Sequence, residues 1–371
     1  MSRIVIIGAG IVGLSVARAA FLRGHEVHVL EQGPVPNPRS ASFDRHRMIR
    51  PHYGRALGYA RMVTPAFAAW DRLWQDLGAC HFEDTGGLAI GLQPGDYARQ
   101  TVEAFEALGI PHDVLDAAAV LRLCPHLRLP DDAWGVLAHP AGPLFADRIV
   151  ADLAAWLEGQ GAVIEPETRV ARIDVVQGWA ERADGSRVSG DALVIAAGAW
   201  LPELMPETHG GRPVHRQALC YVEPPSRFAQ SWRDGPAIVA IGDGGGYTLP
   251  DRRGAGLKFG YGGHRRRGRP GDGFAFDFEA ESTAILRPFA PFLQDAEAYR
   301  PVRMDVWYYV IDETRRFRIE ADRRAVVVTN CDGQMFKFGP LLGERIMAMI
   351  DGKESSASLA RWAAGEGPEK G

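Results

Sequence analysis

The sequence is poor in lysine, in paired cysteines and in long apolar runs. Four lysines, Lys258, Lys337, Lys353 and Lys370, stand among 42 basic residues, so arginine fills nearly every cationic position. A lysine in an apolar setting is therefore worth locating; Lys353 and Lys370 fall in a polar, loosely held C-terminal stretch from 354 onward or beside it. The four cysteines, at 80, 124, 220 and 331, form no CxxC pair, so a zinc ribbon is unsupported and no metal is expected. In a chain of 371 residues a disulfide framework is not expected either. No run of 18 apolar residues occurs, which argues against a transmembrane helix and a membrane partner. No basic segment leads into an apolar one at the start, and the expected location is cytoplasmic. With 46 acidic against 42 basic residues there is no global attraction for nucleic acid. What remains is an ordinary globular mixture, 46% hydrophobic and 24% charged. Its length suits about two domains of roughly 150 residues.

Residues 3–7 read as a short buried strand, followed by Gly8-Ala9-Gly10-Ile11-Val12-Gly13, an apolar helix to about Arg23 and a second strand from His25 to Leu30. Gly8 allows a tight turn, Gly10 lets the backbone approach a pyrophosphate, and Gly13 lets helix and sheet pack closely. The helix N-terminus favours phosphate. Glu31 follows Gly8 by 23 residues and ends the second strand, where a carboxylate meets ribose hydroxyls. The pattern calls for a dinucleotide and leaves FAD against NAD open.

Periodicity predicts helices to about Leu77 and over 96–108, 117–123, 145–159 and 341–350. Strands are predicted over 86–90, 162–164, 217–223, 236–241, 256–261, 302–310 and 325–329. Residues 170–176 and 187–189 read as a hairpin around the turn at 183–186. A further buried strand, 191–197, runs into Gly198-Ala199-Trp200, small residues that suit a backbone passing close to the cofactor. Nucleotide-type elements thus recur at the start, middle and end of the chain.

The opening fingerprint, the strand into Gly198-Ala199-Trp200 and the late segment Asp332-Gly333-Gln334-Met335-Phe336-Lys337-Phe338 occur together in that order. With Arg47-Met48-Ile49-Arg50 and Gly256-Leu257-Lys258-Phe259-Gly260-Tyr261, the set resembles the D-amino-acid-oxidase-like flavoproteins, most of all the monomeric sarcosine oxidase and N-methyltryptophan oxidase branch. The resemblance covers nearly the whole chain. It implies an α/β fold: a discontinuous Rossmann-like FAD-binding domain (1–78, 146–214 and 322–371) and a second α+β substrate domain on a mixed or antiparallel sheet (79–145 and 215–321). It implies FAD, contacted by Gly8, Gly10, Ile11, Val12, Gly13, Glu31, Gln32, Ser42, Arg47, Val170, Ala197, Gly198, Trp200, Gly333, Met335, Phe336 and Lys337. For Val170 an ordinary strand valine is the competing reading.

Lys258 shares one strand face with Gly260 and Gly262, which leaves room for a planar ring against the backbone. In the resembled oxidases the matching lysine assists dioxygen reduction; a snorkelling surface lysine is the bland alternative. Arg50 and Lys337 match a pair that clamps the substrate carboxylate, a task suited to two cations. Arg47 matches an arginine close to the flavin ring, whereas Arg45 and Arg55 read as solvated. Tyr247, 11 residues before Lys258, matches an active-site tyrosine, with a core aromatic as the alternative. Lys258, Arg47 and Tyr247 are thus the catalytic candidates.

Three departures stand out. Met304 or Asp305 occupies the place of the cysteine that links flavin covalently in the resembled branch, so non-covalent FAD is expected. Cys331 is the nearest alternative thiol and otherwise reads as a small buried hydrophobe. Gly262 replaces a histidine, which enlarges the substrate pocket, and Asn330 and Met335 stand where glycine is common. The basic run His264–Arg269 reads as a solvated loop. A phosphate or nucleic-acid contact, or attraction of a substrate with several carboxylates, is the alternative for that run.

The implied activity is oxidation of a secondary amino acid, an N-substituted glycine or N-methyl amino acid such as sarcosine or iminodiacetate. The imine product hydrolyses and dioxygen becomes hydrogen peroxide. The expected partners are a small carboxylated amine and dioxygen, with the chain a monomer or small homo-oligomer. Two alternatives remain: a flavin dehydrogenase that passes electrons to a quinone or protein, and a nucleotide-binding module without catalysis.

Overall fold

The computed structural model describes residues 1–367; Lys370 lies outside them. A six-stranded sheet runs in the order Arg318–Asp322, Ala325–Asn330, Ala192–Ile195, Arg3–Ile7, Glu26–Leu30, Val163–Glu165. All neighbours are parallel except the first pair. Its inner strands are runs of Ile, Val and Leu buried on both faces, as parallel strands under helices require. The sheet gathers strands from three distant stretches, and the short strand 318–322 pairs with it rather than with the second domain, where the sequence division had set residues up to 321.

The turn after the first strand works because Gly8 has φ +105° and because a Cβ there would lie 2.6 Å from the Ala196 carbonyl oxygen. The following helix, Ile11–Phe21, packs against the helix Gly339–Ile350. Contact is close enough that a Cβ on Gly343 would meet the Ser15 carbonyl oxygen at 2.3 Å. Gly343→Ala is expected to cost about 3 kcal/mol of stability, the overpacking penalty of a rigid backbone contact. Thermal unfolding checks this; an unchanged midpoint would refute the close approach.

The second half of the molecule is built on two further sheets. In the first, strands Gly246–Leu249, Leu257–Tyr261, Val214–Glu223 and Arg266–Arg267 are antiparallel neighbours, with Arg300–Val310 along the other side of 214–223. In the second, Ala237–Ile241, Gly87–Gly91, Trp134–Ala138 and Asp113–Asp116 form a mixed sheet. The two-stranded ribbon Arg47–Ile49 with Gly142–Leu144 lies apart from these sheets. The helix Leu57–Leu77 buries Trp70, whose Nε1 donates to the Lys337 carbonyl at 2.7 Å and so ties the helix to the late segment.

Two sequence expectations need correction. The expected hairpin is a three-stranded meander, because Trp179–Arg182 intervenes and pairs with both Val170–Asp174 and Arg187–Ser189. Over the described part, 354–367, the C-terminal stretch is anchored: Ser355 caps a helix over Ser356–Ala363, and Leu359 and Ala363 are buried in the main core. Tyr59 hydroxyl donates to the Ala363 carbonyl, and the polar composition belongs to the outer face alone.

Candidate active site

A single cavity of about 1100 Å³ runs from the C-terminal ends of the parallel strands into the space under the second sheet. It starts beside Glu31, Gln32 and Val170, passes Gly8, Gly10, Ile11, Val12 and Ser42, skirts Ala197, Gly198 and Trp200, and ends among Arg47, Arg50, Tyr247, Lys258, Gly333, Met335, Phe336 and Lys337. Every site residue expected from sequence lines it except Gly13. Gly13 sits behind the wall, where a Cβ would fall 1.8 Å from the Gly8 carbonyl oxygen; its place is in helix–sheet packing.

The dinucleotide end fits such a ligand on three observations. Gly10 caps a helix whose first amide, of Ile11, donates to Ser42 Oγ at 3.0 Å, and Gly10, Ile11, Val12 and Ser42 line the cavity at that helix end. The Glu31 carboxylate is fixed by the Ala9 amide at 2.8 Å, the Gly33 amide at 3.1 Å and Asn37 Nδ2 at 2.9 Å, and still lines the cavity. A Cβ added to Gly198 would meet nothing within 4 Å, so the backbone there borders open space.

At the inner end, the ribbon 47–49 and the residues around it deliver one set of charges, and the strand 257–261 another. Lys258 and Asp44 are both fully shielded from solvent, with Nζ to Oδ2 at 2.6 Å. Lys258 also donates to the His46 carbonyl, and Tyr221 hydroxyl donates to the other Asp44 oxygen. Arg47 Nη1 stands 3.3 Å from Asp44 and its guanidinium lies over the Trp307 ring. Burial opposes the Asp44 charge, but Lys258 and Arg47 hold its pKa down at about 2. Burial pushes Lys258 down to about 8, with Asp44 resisting the shift. Asp44 was absent from the sequence reading. Its signal was weak, one acid inside a cationic run, and only the fold sets it against the strand of Lys258.

The second cluster is cationic without an acid. Lys337 Nζ donates to Tyr53 hydroxyl at 3.0 Å, and Arg50 Nη1 donates to Tyr97 hydroxyl at 3.1 Å while its guanidinium lies over Tyr53. Neither has a carboxylate within ion-pair distance among the described residues. Burial, then the neighbouring Arg50, drives the Lys337 ammonium well below the usual lysine range. Two desolvated cations over one tyrosine form a receptor for an anion. Tyr53 and Tyr97, also missed in sequence, are the hydroxyls that orient the pair.

Tyr247 is half-buried with its hydroxyl pKa raised by desolvation, and its ring covers Gly260, where a Cβ would lie 2.3 Å from Cε1. The space over Gly260 therefore belongs to Tyr247, which corrects the expectation that a ligand ring lies against that glycine. Met304 is buried in the core of the second sheet, and Asp305 is held by Arg303 at 2.9 Å. Cys331 lines the cavity rather than lying sealed in the core; its Sγ faces the Val310 carbonyl at 3.6 Å. Asn330 is buried, with Nδ2 donating to the Arg316 carbonyl. In the basic run, His264 and Arg266 pair with Glu281 and Arg269 with Asp272, whereas Arg265 lines the cavity.

A dinucleotide cradle that opens directly onto a cationic chamber suits a nucleotide-dependent oxidoreductase. The DAO family, FAD dependent oxidoreductase, matches residues 3–349, and the chain belongs to it. FAD is therefore its cofactor, and the cavity ends described above fit it. The chain is similar to N-methyl-L-tryptophan oxidase of Yersinia pestis (strain Pestoides F), 24% identical over 373 residues that cover 96% of this chain and 97% of the relative. It is similar to monomeric sarcosine oxidase of Arthrobacter sp. (strain TE1826), 21% identical over 361 residues, covering 94% and 92%. Among solved structures, L-proline dehydrogenase from P. horikoshii superposes with a TM-score of 0.82 at 17% identity, covering 98% of each chain, a likeness of fold alone. No helix among the described residues is long and apolar enough to cross a membrane.

Proposed function

We propose that this enzyme is an oxidase of secondary amino acids, N-substituted glycines or N-methyl amino acids, that forms an imine and passes electrons to dioxygen. The observation that carries the reading is the acid-free pair Arg50 and Lys337 in the chamber that also holds Lys258, Arg47 and Tyr247. Bound FAD supplies two-electron acceptance from the amine and onward transfer to an oxidant.

The chain's own share is placement and charge. Arg50 and Lys337 hold the substrate carboxylate, which fixes the amine end relative to the ring end of the cavity. The tyrosines around it have raised hydroxyl pKa values through burial, so none is a ready base and the amine binds neutral. Lys258 and Arg47 keep positive charge beside the ring end, where reduction of oxygen builds negative charge. The division into an FAD domain and a substrate domain is part of the same proposal.

Anaerobic addition of a panel of secondary amino acids tests it. Bleaching of the flavin by N-methyl amino acids is expected; a panel that leaves the yellow colour intact would overturn the reading. A second reading has one specific support. Asp44 matches the Lys258 charge, which favours an acceptor other than oxygen, a quinone or a protein. Peroxide counted per amine oxidised in air separates the two.

We also infer non-covalent FAD, since neither Met304 nor Asp305 carries a thiol. Acid precipitation is expected to leave all flavin in the supernatant. Colour in the pellet that disappears in Cys331→Ala would show a link at the cavity-lining thiol instead.

A further inference from the structure

We propose that the chamber has a second anion subsite at Arg265, and that the amine it receives carries a second carboxylate on the arm remote from Arg50 and Lys337. This rests on the amine-oxidase reading and narrows its substrate class.

Four observations lead there. First, three members of the basic run are paired: His264 and Arg266 lie 3.0 and 3.3 Å from Glu281, and Arg269 lies 3.4 Å from Asp272, while Arg267 is exposed. Arg265 instead lines the cavity, half-buried, near the Tyr309 hydroxyl. No carboxylate stands within ion-pair distance of it among the described residues. Second, the acids closest to that mouth are occupied. Asp332 is held by Arg315 at 2.7 Å and Gln334 at 2.8 Å, and Asp243 Oδ1 accepts from the Tyr97 amide at 2.9 Å. Arg265, Arg50 and Lys337 thus have no carboxylate at ion-pair distance among the described residues, and Asp332 acts on Arg265 and Lys337 only from further away.

Third, glycines form part of the cavity wall beside Arg265. Gly260 is covered by Tyr247 and Gly263 by the Tyr261 ring, 2.3 Å from where a Cβ would be, whereas Gly262 borders open space. A Cβ on Gly262 would have only the Gly245 carbonyl oxygen nearby, at 3.5 Å. Fourth, the mouth belongs to the inner end of the cavity. Tyr309, the neighbour of Arg265, packs its ring 2.9 Å from where a Gly333 Cβ would be, and Gly333 opens the turn that ends in Lys337. Asp332 feels both Arg265 and Lys337 electrostatically. The adenosine end, at Glu31 and Val170, is at the opposite extremity of the cavity.

Two cationic points that line one cavity, neither with a carboxylate at ion-pair distance among the described residues, match an amine that joins two carboxylate-bearing arms. A monocarboxylate such as sarcosine would use one point and leave the other to water. Electrostatic pairing at a half-buried guanidinium distinguishes the two through affinity more than through the chemical step.

Thioether analogues, in which sulfur replaces the reacting nitrogen, test the subsite without turnover. The holoenzyme is titrated with (methylthio)acetate and with thioether diacids of increasing arm length, beginning at thiodiacetate, and binding is read from the shift in flavin absorbance. The best diacid is expected to bind at least about tenfold more tightly than the monoacid, the return of one charge-assisted pair. Arg265→Ala should abolish that ratio and Arg265→Lys should keep most of it. A ratio near one in the unaltered enzyme, or one that Arg265→Ala leaves untouched, overturns the subsite. A parallel anaerobic titration with sarcosine and iminodiacetate separates the two levels. Bleaching by sarcosine without any diacid preference sinks the subsite alone. An Arg265-dependent diacid preference in a protein that no secondary amine bleaches sinks the oxidase reading and leaves the subsite standing.

Discussion

Lys337→Met is expected to raise the KM for an N-methyl amino acid by about a hundredfold, the cost of removing one partner of a desolvated charge pair. The argument is geometric. Lys337 has Tyr53 hydroxyl at 3.0 Å as its hydrogen-bond acceptor, and no carboxylate stands within ion-pair distance of it among the described residues. Its ammonium is destabilised in the free enzyme by burial and by Arg50, so an arriving carboxylate relieves two like charges at once. Arg50→Met should act in the same direction, and the double variant should cost less than the sum, because both cations serve one anion. The lowered Lys337 pKa gives a further expectation with a fixed sign. An arriving carboxylate raises that lowered pKa, so binding takes up protons. Calorimetry of a carboxylate inhibitor in two buffers of different ionisation enthalpy reads that uptake; proton release would contradict the assignment. A KM unchanged in Lys337→Met would place the carboxylate elsewhere.

The second large effect concerns Lys258. Lys258→Met should slow reoxidation of the reduced enzyme by dioxygen about a hundredfold, the scale of losing one preorganised charge, while anaerobic reduction by amine keeps its rate. Burial sets the Lys258 pKa at about 8. A lysine is charged below its pKa, so reoxidation should be fast below about pH 8 and fall above it. Asp44 opposes the downward shift, and in Asp44→Asn the fall should begin at lower pH. Stopped-flow reoxidation across pH checks each part. A flat profile shared by Asp44→Asn and the unaltered enzyme would show that the Lys258 charge plays no part. It would also strengthen the dehydrogenase reading, in which oxygen is not the acceptor.

Much of this site was legible in the order of residues along the chain. The glycines of the first turn, the acid at the end of the second strand and the two lysines in apolar settings each announce a local requirement: a backbone conformation, a hydrogen-bonding terminus, a cation that arginine does not replace. Local requirements are written locally, and elements such as Leu57–Leu77 and Gly339–Ile350 follow from their 3.6-residue pattern in the same way. The strand Trp179–Arg182 and the helix Ser356–Ala363 did not, since both are short, and the polar face of the helix outweighs its two buried residues in the sequence.

The sequence by itself determined the nucleotide fingerprint, the family resemblance that points to FAD and the candidate cations Arg47, Arg50, Lys258 and Lys337. It could not say which of them stay unpaired. Asp44 is 214 residues from Lys258 and Tyr53 is 284 from Lys337, and no spacing rule joins such positions. Only the crossing of the Arg47–Ile49 ribbon and its neighbours with the second sheet decides that Lys258 meets an acid while Lys337, Arg50 and Arg265 do not. Charge in a low-dielectric interior depends on distances of a few ångströms, and those distances are set by packing rather than by the order of residues along the chain.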